Sequence, residues 1–306
     1  MDLSVEEKPA LWFVADAKVL RGGRGNVPAD QIDAPSSLPR PVQRRRRRAI
    51  LALVVLLGVP LSAAIDGFVI EPHWLEVTQH TVSSSVRTPL KIAQLSDLHL
   101  HDADSFMARS VRAALDEQRP DVIVLTGDLY DSVDGKVAAE AFIATLKAPL
   151  GVWYVPGNWE HWTLPAAAAY LDTSAASTVL NAAVPLRDDV WLAGFDDATA
   201  GTPLLQEALS SVPADVVTVG IFHSPAFFTQ AAPRLTLSLA GHTHGGQVRL
   251  PGLPPLWLPP GSGAFVHGWY GDDEHRLYVS RGIGTSMLPV RFFCRPELTV
   301  VTLVPR

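Results

Sequence analysis

Five apolar runs rich in β-branched residues each end in Asp, Asn or His, and this repeated pattern constrains the fold more than any other feature. The five segments are Lys91–His99, Asp121–Asp131, Val152–Asn158, Val216–His223 and Leu239–Gln247. Short apolar runs bounded by turn residues predict buried strands. In open α/β sheets, ligands bind beyond the carboxyl ends of the strands. The pattern therefore predicts a ligand site at such an edge.

Two of these segments place polar side chains two residues apart, in Asp97-Leu-His99 and His242-Thr-His244. Residues i and i+2 of an extended chain point to the same side, so each pair can converge on one site. The alternative is that each polar residue ends its strand as a turn former or helix cap. Histidine is a poor turn former, however, and no strand end contains cysteine. Oxygen and imidazole ligands without thiolate suit Mn, Fe, Zn or Mg.

The order Asp-x-His, Gly-Asp-x-x-Asp, Gly-Asn, a single His and Gly-His-x-His resembles the calcineurin-like metallophosphoesterase family. The resemblance extends from about residue 70 to residue 306, and the segment Gly282–Glu297 resembles the bacterial membrane-associated or exported branch of that family. It implies an α/β fold with two packed mixed β-sheets flanked by helices, a four-layer sandwich. It also implies a hydrolase that acts on phosphoric ester or anhydride bonds.

The resemblance further implies which residues hold metal. Asp97, His99 and His244 would hold one ion, Asn158, His223 and His242 would hold a second, and Asp128 would bridge both. The implied cofactors are two divalent ions, chosen from Mn, Fe, Zn and Mg, with Mn favoured. The implied reaction is attack of a metal-bound hydroxide on a phosphodiester or pyrophosphate, including a lipid-linked one. The alternatives are a phosphomonoesterase or nucleotidase, and a catalytically weak metal-binding protein of the same fold.

Two further residues are candidates for supporting roles. Asp131 is expected to orient a ligand histidine, and the alternative is an ordinary turn aspartate. The family pattern places His after Asn158, but this chain has Trp159 there, and indole has no titratable group near neutral pH. His161 could act as the general acid if the loop is extended; otherwise it is a surface residue.

The remaining pattern predicts helices that alternate with the strands. Amphipathic or alanine-rich stretches predict helices at 104–118, 137–147, 163–173 and 203–211. Two late strands are expected at 275–281 and 297–303. The Pro/Gly-rich stretch 251–263 is expected to be a long loop near the metal edge. This βα alternation is typical of a sheet-based α/β domain.

Five arginines, Arg44–Arg48, precede seventeen uncharged residues, Ala49–Ile65. This arrangement is typical of the cytoplasmic flank of a membrane helix, although Pro60 and the following small residues also resemble the end of a signal peptide. We expect a flexible cytoplasmic tail at 1–43, a single-pass anchor at 44–66 and an extracytoplasmic catalytic domain at 67–306. Export after signal cleavage is the alternative.

The net charge of −6 argues against a nucleic-acid coat protein, because such proteins carry a basic face. The expected partners are the membrane and a phosphorylated small-molecule or lipid substrate, and no protein partner is inferred. The single cysteine, Cys294, cannot form an intrachain disulfide, so it leaves the redox compartment undecided.

Overall fold

The apolar runs form strands, and the strands form two mixed sheets of six strands each. The computed structural model describes residues 40–164, 171 and 174–306. In chain order the strands are β1 (Glu76–Ser84), β2 (Leu90–Leu95), β3 (Val122–Thr126), β4 (Val152–Val155), β5 (Ser177–Thr178), β6 (Ala182–Arg187), β7 (Val190–Gly194), β8 (Val217–Ile221), β9 (Leu237–Ala240), β10 (Gly268–Gly271), β11 (Arg276–Val279) and β12 (Glu297–Pro305). The helices are α1 (Arg40–Ile65), α2 (Phe106–Gln118), α3 (Val133–Ile143), α4 (Asn158–Thr163), α5 (Leu205–Ala208) and α6 (Phe228–Ala231).

The first sheet has the order β1-β12-β2-β3-β4-β5, and the second has the order β10-β11-β9-β8-β7-β6. Among the described strands of the first sheet, the β12–β2 pair is antiparallel and the other four pairs are parallel. In the second sheet the three central pairings are parallel, and the two outer pairs, β10–β11 and β6–β7, are antiparallel. The central strands β2, β3 and β4 therefore end at one edge of their sheet, and β8 and β9 end together in theirs.

Alternation along each strand places apolar side chains on both faces of both sheets. In β3, Val122 and Val124 pack between the sheets, while Ile123 and Leu125 pack outward against α2 and α3. A third apolar cluster covers the outer face of the second sheet, where Phe228 of α6 packs. This period of two is what a strand buried on both faces requires. The layers are helix, sheet, sheet and helix, which confirms the predicted α/β sandwich.

The predicted helices differ in accuracy. Helix α2 agrees with 104–118, but α3 begins four residues before the predicted 137–147, because Ser132 accepts a hydrogen bond from the Gly135 N–H and caps the first turn. Helix α5 is shorter than the predicted 203–211. Most of the predicted helix 163–173 lies outside the described residues. Strands β11 and β12 confirm the two late strands.

The chain divides into two units, Met1–Ala52 and Leu53–Arg306. Helix α1 continues through a π-helical turn, Asp66–Ile70, and a short 3₁₀ turn, Glu71–His73. Within the described part of the chain this is one helix that is long and apolar enough to cross a membrane. The predicted tail 1–43 lies almost entirely outside the described residues.

Candidate metal centre

The carboxyl ends of five strands from both sheets meet, and the polar residues that follow these strands lie together there. The seven predicted ligands are all buried. They are Asp97, His99, Asp128, Asn158, His223, His242 and His244. The sequence predicted their convergence, but it did not predict that two different sheets supply them.

The first cluster consists of Asp97, His99 and His244, whose ligand atoms lie within 4.8 Å of one another. The Nε2 atom of His244 is 3.3 Å from Asp97 Oδ1 and 3.2 Å from His99 Nε2. The donor atoms thus face a common point. This is the arrangement that a bound cation requires.

The second cluster consists of Asp128, His223 and His242, also within 4.8 Å. The Nε2 atom of His223 is 3.1 Å from Asp128 Oδ2, 3.1 Å from His242 Nδ1 and 3.2 Å from Asn158 Oδ1. Asp128 Oδ2 is also 4.0 Å from His99 Nε2 in the first cluster. Asp128 therefore lies between the two clusters.

Hydrogen bonds on the far sides of the imidazoles assign their tautomers. His223 Nδ1 lies 2.8 Å from the carbonyl oxygen of Thr126, and His242 Nε2 lies 2.6 Å from that of Pro260. Each of these nitrogens donates to its carbonyl, because a carbonyl can only accept. In the neutral rings that bind metal, the facing atoms, His223 Nε2 and His242 Nδ1, therefore carry the lone pairs. Together with the oxygens of Asp128 and Asn158, they form a cage of acceptors that fits a divalent cation.

The charges of the site favour a cation as well. Burial disfavours the charged form of His223, but the Asp128 and Asp97 carboxylates outweigh burial and raise its pKa well above the usual range. Burial, followed by the neighbouring His99 ring, holds the pKa of His244 well below the usual range. Within the described residues, the carboxylates of Asp97 and Asp128 form their salt bridges with imidazole rings. The residues therefore fit two metal ions.

The backbone of the site is strained where it delivers these side chains. The left-handed φ angles are 52° at Asp97, 42° at His99, 53° at Asp128, 72° at His242 and 49° at His244. Each costs an L-residue roughly 1–2 kcal/mol. Such strain is maintained only where the surrounding structure compensates for it, and it concentrates at functional sites.

Two glycines are required by close approach. A Cβ atom at Gly157 would collide with the Asp128 carboxylate, and one at Gly241 would collide with Ser96 and the Asp97 carboxylate. Both positions precede a predicted ligand in the sequence. The Gly-Asn and Gly-His pairs thus have a steric cause.

Glu160 is a site residue that the sequence reasoning missed. Its fully buried carboxylate accepts hydrogen bonds from the N–H groups of Asp128 at 2.9 Å, Leu129 at 2.6 Å and Gly157 at 2.8 Å. Burial and the Asp128 carboxylate raise the pKa of Glu160 to about 7. A glutamate three residues after a helix N-cap commonly reaches back to it, so Gly157-Asn-Trp-Glu160 carried a usable signal.

The structure places Asp131 beside His99, with Oδ2 at 3.6 Å from His99 Nδ1. The same carboxylate lies 3.6 Å from Nε2 of the exposed His101. The contact with His99 lowers the pKa of Asp131, so the group is a carboxylate at neutral pH. At this separation the carboxylate faces His99 as a charge and not as a hydrogen-bond acceptor, and its orienting role stays a prediction.

The general-acid role of His161 required an extended loop at 157–161, and the structure has a helix there instead, Asn158–Thr163. Residues two apart on a helix face different sides, so His161 does not follow the direction of Trp159. His161 Nε2 instead lies 2.8 Å from Asp196 Oδ1. Trp159 lies against the site, with its ring edge-on to His99 at a centroid separation of 5.9 Å.

Comparison with known proteins establishes the family. The sequence model of the calcineurin-like phosphoesterase family matches residues 90–246, a range that contains all seven predicted ligands. This chain belongs to that family of metallophosphoesterase hydrolases, as the sequence predicted. Its two buried His/Asp clusters are consistent with a dinuclear metal centre.

Three relatives show how far the similarity extends. The chain is 35% identical over 250 residues to the uncharacterized metallophosphoesterase YkuE of Bacillus subtilis, covering 76% of this chain and 87% of that protein. It is 30% identical over 251 residues to the phosphodiesterase YaeI of Escherichia coli, covering 76% and 90%. It is also 32% identical over 279 residues to a Bos taurus protein named as a transmembrane protein with a metallophosphoesterase domain, covering 83% of this chain but 60% of that protein.

The ion pair of His161 and Asp196 predicts a pH-dependent stability. The Asp196 hydrogen bond raises the pKa of His161, and the charges of Asp197 and Glu160 raise it further. The contribution of this ion pair to folding stability is therefore complete below the unfolded pKa of about 6.5, and it is lost as the pH rises through the folded pKa. In urea unfolding, His161→Gln should therefore cost more stability at pH 6 than at pH 9. The same cost at both pH values would contradict the charged pair, and Asp196→Asn provides the second arm of a double-mutant cycle.

Proposed function

We propose that residues 67–306 form a dinuclear metal-dependent phosphoesterase that hydrolyses a phosphodiester or pyrophosphate bond. The observation that carries this proposal is the position of Asp128 between two buried clusters, within 3.1 Å of His223 in one and 4.0 Å of His99 in the other. A carboxylate shared in this way offsets the repulsion between two neighbouring cations.

Each residue has a defined part in this proposal. One ion would be held by Asp97, His99 and His244, the other by Asn158, His223 and His242, and Asp128 would touch both. When bound, two divalent cations, with manganese favoured, supply Lewis-acid activation of water and offset negative charge on the phosphoryl oxygens. Asp131 orients His99, and the Thr126 and Pro260 carbonyls hold His223 and His242 in their tautomers.

The chain supplies no proton from the position after Asn158. The Trp159 indole can donate a hydrogen bond, but it has no titratable group near neutral pH. His161, the predicted general acid, is paired with Asp196 on another side of the helix. The leaving group would then depart as an anion, which favours phosphates and phenolates over alkoxides. This argument favours pyrophosphates and activated diesters over alkyl monoesters as substrates. It therefore favours a phosphodiesterase or pyrophosphatase over the alternative phosphomonoesterase or nucleotidase.

Membrane attachment belongs to the same proposal. The described helix that begins in the basic flank is long and apolar enough to span a bilayer, and its apolar stretch is not buried against the rest of the protein. Five arginines at its amino-terminal side favour a cytoplasmic position for that end. We infer an anchored enzyme whose catalytic domain lies outside the cytoplasm, with access to a lipid-linked substrate.

Metal content tests the dinuclear assignment. Purified full-length protein should contain about two divalent ions per chain, and Asp128→Asn should reduce this to about one or fewer because its carboxylate serves both sites. The same variant should lower the turnover of a chromogenic diester by at least about a hundredfold. Asp134→Asn, an exposed carboxylate on α3, is the matched control. Elemental analysis that finds fully active wild-type protein with one ion or none would refute the assignment.

Leaving-group dependence tests the proposed absence of a general acid. For wild-type protein, rates across phenyl and alkyl diesters should fall steeply as the pKa of the leaving alcohol rises. Trp159→His should flatten this dependence by accelerating poor leaving groups by about 10²–10⁴-fold. Val137→His, at an exposed position on α3 that does not line the cavity, should leave the steepness unchanged. A flat wild-type dependence that becomes steep in His161→Ala would instead make His161 the acid.

Protease accessibility tests the orientation. In spheroplasts of a bacterial host, external protease should degrade residues 67–306 while a tag placed on the amino-terminal tail is protected. Permeabilised spheroplasts provide the control in which both are degraded. Protection of the catalytic domain in intact spheroplasts would contradict the proposed orientation.

A further inference from the structure

A cavity of about 530 Å³ opens directly from the metal centre. Asp128 and His242 lie at one end of it, and its other walls include Trp162, Leu256 and Leu288. Its size is in the range of small-molecule binding sites, in which apolar walls meet a few polar groups. A phosphoryl group at the metal end would place the remainder of a substrate against these apolar walls.

The mouth of the cavity is strongly apolar. Large side chains there are mostly exposed: Leu256 by 72%, Trp257 by 66%, Met287 by 82% and Leu288 by 63%. Two loops supply them, the predicted Pro/Gly-rich loop 251–263 and the segment 285–290. Contiguous apolar surface of this kind normally marks a binding site for a ligand, a protein or a membrane.

The loop that carries Met287 and Leu288 is fastened to the end of the candidate membrane helix. The Arg291 N–H donates to the carbonyl of Gly67 at 2.9 Å. The Glu71 carboxylate accepts from the N–H of Phe293 at 2.7 Å and from that of Cys294. The apolar mouth is thus held beside the residues that would emerge from a bilayer.

The lining also indicates what the cavity does not suit. Among the described residues that line it, none is a lysine or arginine, and Thr243, Gln247 and Ser286 are the uncharged polar side chains in addition to Asn158. A substrate with a second phosphate or a charged sugar head would find no cationic partner on these walls. A hydrocarbon chain requires none, and each methylene moved out of water strengthens binding by a factor of about three to four.

We propose that this cavity binds the hydrocarbon chain of an amphipathic phosphoester taken from the bilayer, with the phosphoryl group at the metal centre. This inference rests on the proposed phosphodiesterase function and names its substrate class. The apolar walls hold the chain, and the link between Gly67 and Arg291 keeps the mouth at the membrane surface.

A matched series of esters tests this proposal with the full-length chain in one fixed detergent. The substrates are p-nitrophenyl ethyl phosphate, p-nitrophenyl octyl phosphate and the p-nitrophenyl ester of thymidine 5′-phosphate, which share one leaving group. Wild-type protein should show a kcat/KM for the octyl ester at least about tenfold above that for the ethyl ester. Leu256→Ser and Leu288→Ser should each reduce this ratio by at least about threefold. Val137→Ser, an exposed apolar position on α3 outside the cavity, is the control and should preserve the ratio.

The variants remove the ambiguity of micelle partitioning, because the substrate partitions equally whichever protein is present. A ratio near one in wild type, or a ratio unchanged in both lining variants, would overturn the proposal. A preference for the thymidine ester would also overturn the proposal, because it would indicate a cavity that binds a base by stacking on its tryptophans and not a hydrocarbon chain. Binding of octyl phosphate against ethyl phosphate, followed by tryptophan fluorescence, gives a readout that needs no turnover. If no ester is hydrolysed but octyl phosphate binds more tightly than ethyl phosphate, the proposed phosphodiesterase function is wrong and the proposed hydrocarbon-binding cavity is retained.

Discussion

The convergence of three polar atoms on His223 Nε2 is the constraint on which the rest of this structure depends. The neighbouring atoms come from Asp128, Asn158 and His242, at 3.1 to 3.2 Å. The Asp128 and Asp97 carboxylates outweigh burial and raise the pKa of His223 well above the usual range, so in the protein alone the ring holds a proton and donates toward these acceptors. A metal ion must displace that proton, and metal binding is therefore linked to pH.

Several backbone interactions keep the acceptors in place. The loops after β2 and β3 are joined by hydrogen bonds from the Asp97 N–H to the Gly127 carbonyl at 3.0 Å and from the His99 N–H to the Asp128 carbonyl at 3.1 Å. Glu160 then ties the loop after β3 to the start of α4. These bonds allow left-handed backbone at the ligands to persist, because relaxing one residue would break contacts of the next. The left-handed backbone of the ligands and the buried carboxylate of Glu160 are both tolerated because they hold the site rigid.

The sequence predicted the parts of this site that depend on strand periodicity. Short apolar runs ending in Asp, Asn or His specified where the strands end, and the seven predicted positions do lie together. What it could not specify was long-range: which sheet each strand joins, and that β8 and β9 face β2 to β4 across the site. Local competition explains the other differences, since the Ser132 cap moved α3 toward the amino terminus and Asn158–Thr163 formed a helix. That helix turned His161 toward Asp196, which no short-range pattern could reveal.

The segment Gly282–Glu297, which carried the resemblance to membrane-associated relatives, connects the features of this molecule physically. The Gly284 N–H donates to the Asp97 carbonyl at 2.7 Å, which fixes the backbone of the first metal cluster. The guanidinium of the fully buried Arg291 in turn holds the Gly284 carbonyl and the Cys294 carbonyl, while its own N–H reaches Gly67. A buried cation satisfied by carbonyls is costly to rearrange. One loop, held by these hydrogen bonds, therefore contacts the metal cluster, the apolar cavity and the end of the helix. The same loop would position both a substrate chain at the membrane and its phosphoryl group at the metals.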